Sequence, residues 1–301
     1  MGYLNLNGVL PPLITPFFEN GDIDYGGFVR NIEKWNSDAL AGYLVLGSNS
    51  EAAYLSEAEK VALLDLAVRH SAAGRVIIAG TGLESTRETL RLTGEAARIG
   101  AHAALVLTPC YYGDQMTDVA LTRHFVEIAD AADIPILVYN VPKFTHVNIS
   151  PDVVRELSGH PNIVGIKDST GNLSQLAAFR AVAPEAFEII VGTAGAWLGA
   201  LHLGVKAGIH ALANCLPNEC ALLQKLHGAG DERGAQELQK RIALVNTVAT
   251  GKYGVSGLKA ACTLMGYRGG FVRSPLLSLD DEGVREIADA LRKTGFLKQT
   301  E

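Results

Sequence analysis

A lysine closing a short apolar run is where this sequence first promises chemistry. The stretch Asn162-Ile163-Val164-Gly165-Ile166-Lys167-Asp168-Ser169 has the length and composition of a strand that turns polar at its end. Successive strand side chains point to opposite faces, so Ile163, Gly165 and Lys167 are expected on one face, Val164 and Ile166 on the other. In a parallel sheet covered on both sides, Lys167 would enter the protein interior at the C-terminal end of the strand. Burial disfavours the ammonium form, and a neutral amine is a nucleophile toward a ketone. The resulting iminium withdraws electrons from the neighbouring carbon, so a carbon–carbon bond can break or form there. The plainer reading, a solvated lysine just past a strand, gives way only if other groups converge on the amine.

Several groups are suited to do so. Ile134 to Tyr139 reads as another buried strand, and Tyr139 ends it as Lys167 ends its own. A phenol can both donate and accept a proton, which is what imine and enamine formation require. Ser48 and Asn49 follow the apolar run Tyr43-Leu44-Val45-Leu46, and Tyr111 and Tyr112 follow Ala103 to Leu107. Taken singly these residues have ordinary readings: Tyr139 as a packed aromatic, Ser48-Asn49 as turn chemistry, the tyrosine pair as interface packing. Cys110 reads as a small hydrophobe, Glu51 as an acceptor of backbone donors, and Asp168, of opposite parity to Lys167, as structural.

The elements needed to position these groups are legible along the chain. Strand-length apolar runs at Val9 to Ile14, Tyr43 to Leu46, Val76 to Ala79, Ala103 to Leu107, Ile134 to Tyr139, Ile163 to Lys167, Glu188 to Val191 and Gly208 to Leu212 alternate with helical patterns. Pro11 and Pro12 weaken the middle of the first. Asp24, Ser56 with Glu59, Ser85 with Glu88, Thr117 and Pro151 sit where helix starts belong. Eight such units predict an α/β fold, a closed (β/α)8 TIM barrel over residues 1–228, with a C-terminal helical segment at 229–301. Helical patterns in that segment cover about 231–249, 256–265 and 281–295. In such barrels the active site lies at the C-terminal ends of the strands, the rim where the candidate residues fall.

Composition narrows the classes. The 301 residues are 48% hydrophobic and include 32 glycines, which suits many tight strand–helix connections. A net charge of −6 offers no general attraction to nucleic acid or anionic membrane. Four cysteines without a C-x-x-C pair predict reduced thiols rather than a disulfide framework or zinc module. The eight histidines form no H-x-H or H-E-x-x-H cluster, so no metal is expected; no other cofactor is expected either. Met1-Gly2-Tyr3-Leu4-Asn5 lacks the features of a signal peptide, and no apolar run is long enough to span a bilayer. A cytoplasmic location is the expectation.

Gly47-Ser48-Asn49-Ser50-Glu51, Thr108-Pro109 with two tyrosines, Tyr139-Asn140-Val141-Pro142 and Gly165-Ile166-Lys167-Asp168-Ser169 occur in fixed order at the predicted strand ends. Together they resemble the dihydrodipicolinate synthase/N-acetylneuraminate lyase family of class I aldolases, over essentially the whole chain. The resemblance implies the same barrel, a pyruvate-type 2-oxo acid as small-molecule substrate, and a homotetramer. It matches Lys167 to the Schiff-base lysine and Tyr139 to the proton-relaying tyrosine. Ser48 stands where threonine is common in the relay, and Tyr112, in preference to Tyr111, completes the relay from a neighbouring subunit. Ser48 and Asn49 would hold the substrate carboxylate, and Gly192 and Ile209 match rim positions lining the pocket.

Two departures bear on specificity. The family's usual G-T-T-G-E reads Gly47-Ser48-Asn49-Ser50-Glu51, and the arginine by which dihydrodipicolinate synthase grips its aldehyde substrate is replaced by Phe144. A phenyl ring cannot supply a guanidinium fork. These positions are closer to 4-hydroxy-2-oxoglutarate aldolase and the 2-keto-3-deoxy sugar-acid aldolases. The expectation is therefore a lyase cleaving a 4-hydroxy-2-oxo acid to pyruvate and an aldehyde. The alternatives are dihydrodipicolinate synthesis from pyruvate and aspartate semialdehyde, a metal-dependent enzyme, and a non-catalytic keto-acid-binding barrel.

Overall fold

The computed structural model describes residues 4–298. Residues 1–3 and 299–301, which include the start of the stretch read against a signal peptide and both outer ends of the two expected segments, lie outside the described residues. Eight strands form one parallel sheet: β1 (Gly8–Leu10), β2 (Gly42–Val45), β3 (Val76–Gly80), β4 (Ala103–Leu107), β5 (Ile136–Asn140), β6 (Ile163–Asp168), β7 (Glu188–Val191) and β8 (Ala207–Ile209). Consecutive strands pair from β2 through β8, and β8 pairs in turn with β1. The remaining seam lies between β1 and β2. Pro11 and Pro12 have no N–H to give there, so the donors are Ala41 to the Val9 carbonyl (2.9 Å), Leu44 to Pro11 (3.0 Å) and Leu13 to Leu44 (2.8 Å). These bonds close the (β/α)8 barrel.

The prolines also explain why the first strand stops at Leu10 instead of running to Ile14, leaving a single bridge between Pro12 and Leu44. The second ends at Val45 because Leu46 takes a left-handed backbone (φ 64°). The eighth ends at Ile209, where the chain enters a single 3₁₀ turn at Ala211–Asn214.

Two apolar layers result from strand alternation. Leu10, Leu44, Ile78, Leu105, Leu137, Ile190 and Ile209 fill the barrel interior. Val9, Val45, Ile77, Val106, Val138, Ile166 and Val191 face the surrounding helices. The expected grouping of Ile163 with Lys167 needs correction. Register shifts between Ile136 and Leu137, which pair with Ile163 and Gly165, so Val164 is an extra residue on β6. Such a bulge flips the alternation: Ile163 joins the outer layer and Val164 packs on the inner one. Gly165 and Lys167, beyond the bulge, keep their expected common face.

Helix starts follow the local chemistry. Ser56 and Glu59 form a reciprocal capping box on the helix Glu57–His70. Ser85 accepts from the Glu88 amide (3.2 Å), but the Glu88 carboxylate pairs with Arg91 instead of reaching back. Asp24, Thr117 and Ser150 cap the helices that follow them, the last with Pro151 at the first turn. After the helix Pro217–Gly228, the chain forms Glu232–Val245, a π-helical stretch Asn246–Lys252, Gly254–Leu264 and Asp281–Lys293. Their apolar residues, among them Leu238, Ile242, Leu258 and Leu291, belong to the outer cluster of the barrel, so the hydrophobic layer does not divide at residue 228. Among the described residues, no helix is long and apolar enough to cross a membrane.

Candidate active site

β5 and β6 carry the centre of the site. Tyr139 pairs in register with Lys167, and both side chains enter the barrel mouth. Lys167 is 3% exposed, and its Nζ lies 4.2 Å from the centroid of the Tyr139 ring. Burial pushes the amine below the usual lysine range, while the neighbouring phenol opposes the shift. Burial alone would raise the Tyr139 phenol, yet the charge of Lys167 and the Ser169 and Ser48 hydroxyls bring it below its ordinary value. The amine is thus easier to free of its proton than an exposed lysine, and the phenol beside it easier to ionise than an exposed tyrosine.

The Tyr139 hydroxyl lies 3.5 Å from Ser48 Oγ and accepts from Ser169 Oγ at 3.4 Å, both at the long end of hydrogen bonding. Ser169 is a member of this cluster that sequence reasoning passed over. The signal was available, because Ser169 has the parity of Lys167 one step beyond the strand. It also accounts for Gly192: a Cβ there would come within 1.9 Å of Ser169 Oγ, so only glycine fits. Gly192 donates its amide to the Asp168 carbonyl (2.7 Å). Ile209 is fully buried inside the barrel.

Ser48 and Asn49, half-buried, lie in one 3₁₀ turn, Ser48–Ser50. Two non-glycine residues with left-handed backbones, Leu46 (φ 64°) and Glu51 (φ 56°), bracket that turn, and such conformations persist only where the surroundings enforce them. Here the enforcement comes from the C-terminal segment. Glu51, 3% exposed, is ion-paired with Lys259, itself 2% exposed. The other Glu51 oxygen accepts the Arg273 amide at 2.8 Å. The Arg273 guanidinium grips both Glu59 oxygens (2.8 and 2.7 Å) and the Gly21 carbonyl. Glu51 thus accepts a backbone donor as expected, and a buried cation as well.

Asp168 points away from the amine. Fully buried, it accepts from Asn140 Nδ2 (2.7 Å), Gln175 Nε2 (3.0 Å) and Thr170 Oγ1. Burial raises its carboxyl pKa and these bonds moderate the rise. The network ties the ends of β5 and β6 together from outside the barrel. His210, fully buried just past β8, is held neutral with a pKa of about 3 by burial and by the Lys167 charge.

The remaining expected residues stand apart. Tyr111 and Tyr112 are 80% and 66% exposed, and their rings meet edge to face at 5.0 Å. Phe144, 55% exposed, lies on the short helical turn Pro142–Thr145 after β5. Within one chain, the structure brings Lys167, Tyr139 and Ser48 together and leaves the tyrosine pair in solvent. Cys110 donates its thiol to Glu84 (3.0 Å), and burial with that carboxylate pushes its pKa up to about 11, which removes it as a nucleophile.

Comparison with known proteins agrees with this geometry. Residues 5–294 match the model of the dihydrodipicolinate synthetase family. The 4-hydroxy-tetrahydrodipicolinate synthase of Methanococcoides burtonii is 36% identical over 97% of this chain and 99% of its own length. A dihydrodipicolinate synthase from Bacillus anthracis superposes with a TM-score of 0.92 at 27% identity, covering 96% of this chain and 98% of that one. The Acinetobacter baumannii synthase, solved in complex with pyruvate, gives 0.90 at 29% identity over 97% and 100%. These relatives bear the synthase's name, which favours the alternative reading of the sequence over the preferred 4-hydroxy-2-oxo acid aldolase. A buried lysine facing a phenol at the mouth of a closed parallel barrel, and likeness along nearly the full length, lead to one conclusion: this chain belongs to the dihydrodipicolinate synthetase family and is a pyruvate-dependent carbon–carbon lyase of the class I aldolase type.

Proposed function

We propose that the chain joins pyruvate to an aldehyde by the reaction its named relatives carry, 4-hydroxy-tetrahydrodipicolinate synthesis from aspartate semialdehyde. The observation that carries the chemistry is the Lys167 amine, buried and 4.2 Å from the Tyr139 ring centroid. Neutral Lys167 Nζ attacks the ketone carbon of pyruvate, and the carbinolamine loses water to give an iminium. Loss of a methyl proton yields an enamine, whose carbon adds to the aldehyde carbon as the aldehyde oxygen takes up a proton. The amino group of the semialdehyde part then attacks the product iminium carbon and displaces Lys167 Nζ, which closes the ring and frees the lysine. Tyr139, backed by Ser48 and Ser169, relays the protons. The Ser48-Asn49 turn, with its amides, receives the pyruvate carboxylate, and Gly192 and Ile209 line the pocket.

Tyr112 from a neighbouring subunit completes the relay in a homotetramer; the exposure of the tyrosine pair in a single chain supports this reading. The mechanism asks nothing of a metal or other cofactor, so full activity in a chelator is expected. Borohydride reduction in the presence of pyruvate should add a stable mass to the peptide containing Lys167. An unmodified lysine at saturating pyruvate would overturn the proposal.

Phe144 favours a second reading, cleavage of a 4-hydroxy-2-oxo acid. A phenyl ring stands where the synthase is expected to offer a guanidinium, so the aldehyde's carboxylate loses a bidentate partner. Rates with pyruvate plus aspartate semialdehyde, set against pyruvate release from 4-hydroxy-2-oxoglutarate, separate the two. If Phe144→Arg improves the first reaction at the expense of the second, the native specificity is the aldolase's. If it changes both alike, Phe144 does not select the aldehyde.

A further inference from the structure

Away from the site, three side chains that the sequence scatters come together on the surface. His202 is the last residue of the helix Trp197–His202, His227 lies in the last turn of Pro217–Gly228, and Glu232 opens Glu232–Val245. His202 Nε2 is 3.1 Å from Glu232 Oε2, and the two imidazole rings meet at 5.0 Å between centroids, nearly perpendicular. One ligand atom from each residue can be chosen so that all lie within 4.8 Å of one another. Tetrahedral zinc with bonds of about 2.0–2.1 Å separates its ligand atoms by roughly 3.3 Å, so the His202–Glu232 edge is already close to that spacing, and His227 offers a ligand atom within 4.8 Å of both.

The carboxylate is held as a ligand would be. Its other oxygen, Oε1, accepts from Gln236 Nε2 at 2.8 Å, which leaves Oε2 aimed at His202. Outer hydrogen bonds of this kind orient metal ligands and fix their geometry. We propose that His202, His227 and Glu232 form a binding site for a divalent transition-metal ion of the zinc class. Two imidazoles with one carboxylate suit zinc and its neighbours in the first transition row and do not suit magnesium or calcium, which take oxygen ligands. A fourth position faces solvent and takes water.

The site belongs to the opposite end of the molecule from Lys167. Barrel helices return antiparallel to their strands, and His202 lies just ahead of β8 in sequence. The ion therefore joins the helix after β7 to the turn between the helix after β8 and the first helix of the C-terminal segment. It acts as a staple between barrel and segment and takes no part in the chemistry at the strands' other ends, so this proposal stands or falls independently of the pyruvate reaction.

Calorimetric titration of zinc into tag-free, metal-stripped full-length protein tests it. One ion per chain should bind saturably, and zinc should raise Tm by mass action. His202→Ala/His227→Ala should abolish both effects while the metal-free Tm stays as in the wild type. Gln236→Ala should weaken binding by about tenfold. Absence of saturable binding up to millimolar zinc, undiminished affinity in the double variant, equal binding of magnesium, or loss of binding in Cys110→Ser would each overturn the assignment.

Discussion

Two lysines in this molecule are equally hidden, Lys167 at 3% exposure and Lys259 at 2%, and they do different work. Lys259 has two acceptors, one of them an anion: the Glu51 carboxylate and, at 2.6 Å, the Phe271 carbonyl. Burial pulls its pKa down to about 8 even against the attraction of Glu51. It serves as a tie between the C-terminal segment and the turn that carries Ser48 and Asn49. Lys167 is denied any such anion among the described residues; its neighbour Asp168 is turned outward onto three donors of its own. What remains beside the amine is an aromatic face with two further hydroxyls at its rim. Burial by itself does not make a nucleophile. Burial without a counter-ion does, because the neutral form then has the least to lose.

Replacing each lysine by methionine separates the two roles most sharply. Lys167→Met should abolish turnover and borohydride trapping while leaving stability unchanged or higher, since it removes a buried amine without orphaning a carboxylate. Lys167→Arg should be equally inactive, because guanidinium stays protonated. A Lys167→Met enzyme with measurable turnover would end the distinction. Tyr139→Phe comes next, with kcat falling by roughly 10²–10⁴-fold while pyruvate still binds; an unchanged kcat removes the phenol from the relay.

Lys259→Met should cost about 3–5 kcal/mol in chemical denaturation because Glu51 is left buried and unpaired, and Glu51→Gln/Lys259→Met should recover most of that loss. If the single variant is as stable as wild type, the pair holds nothing. A subtler test uses pH. Trapping of pyruvate follows the neutral amine, so its rate should level off below the ordinary lysine value of 10.5. Tyr139 opposes the fall in the Lys167 pKa, so removing it by Tyr139→Phe should move the inflection lower still; movement upward would contradict the account of the pair. Smallest is Ser169→Ala, which removes one long bond to the phenol and should lower kcat/KM by an amount equivalent to about 0.5–1.5 kcal/mol.

Local chemistry accounts for much of what the residues reveal by themselves. Alternating strands and helices, the Ser56–Glu59 box and Pro151 are written in short stretches, because helix caps and strand parity depend on residues only a few positions apart. The same locality identified Lys167 and Tyr139 as strand-end residues of matched parity. It erred where a local rule was broken by a neighbour: the bulge at Val164 moved Ile163 to the other face, and Leu46 left its strand for a left-handed turn.

The amino-acid order alone thus determined the barrel, the rim and the amine–phenol pair, since each follows from periodicity and strand polarity. Only the tertiary structure decided which buried lysine is paired, that Ser169 sits against Gly192 and Tyr139, and that Glu51 is held by Lys259 and Arg273. Those contacts join residues far apart in sequence, and whether a charge is relieved or left bare depends on which groups the closed barrel sets beside it.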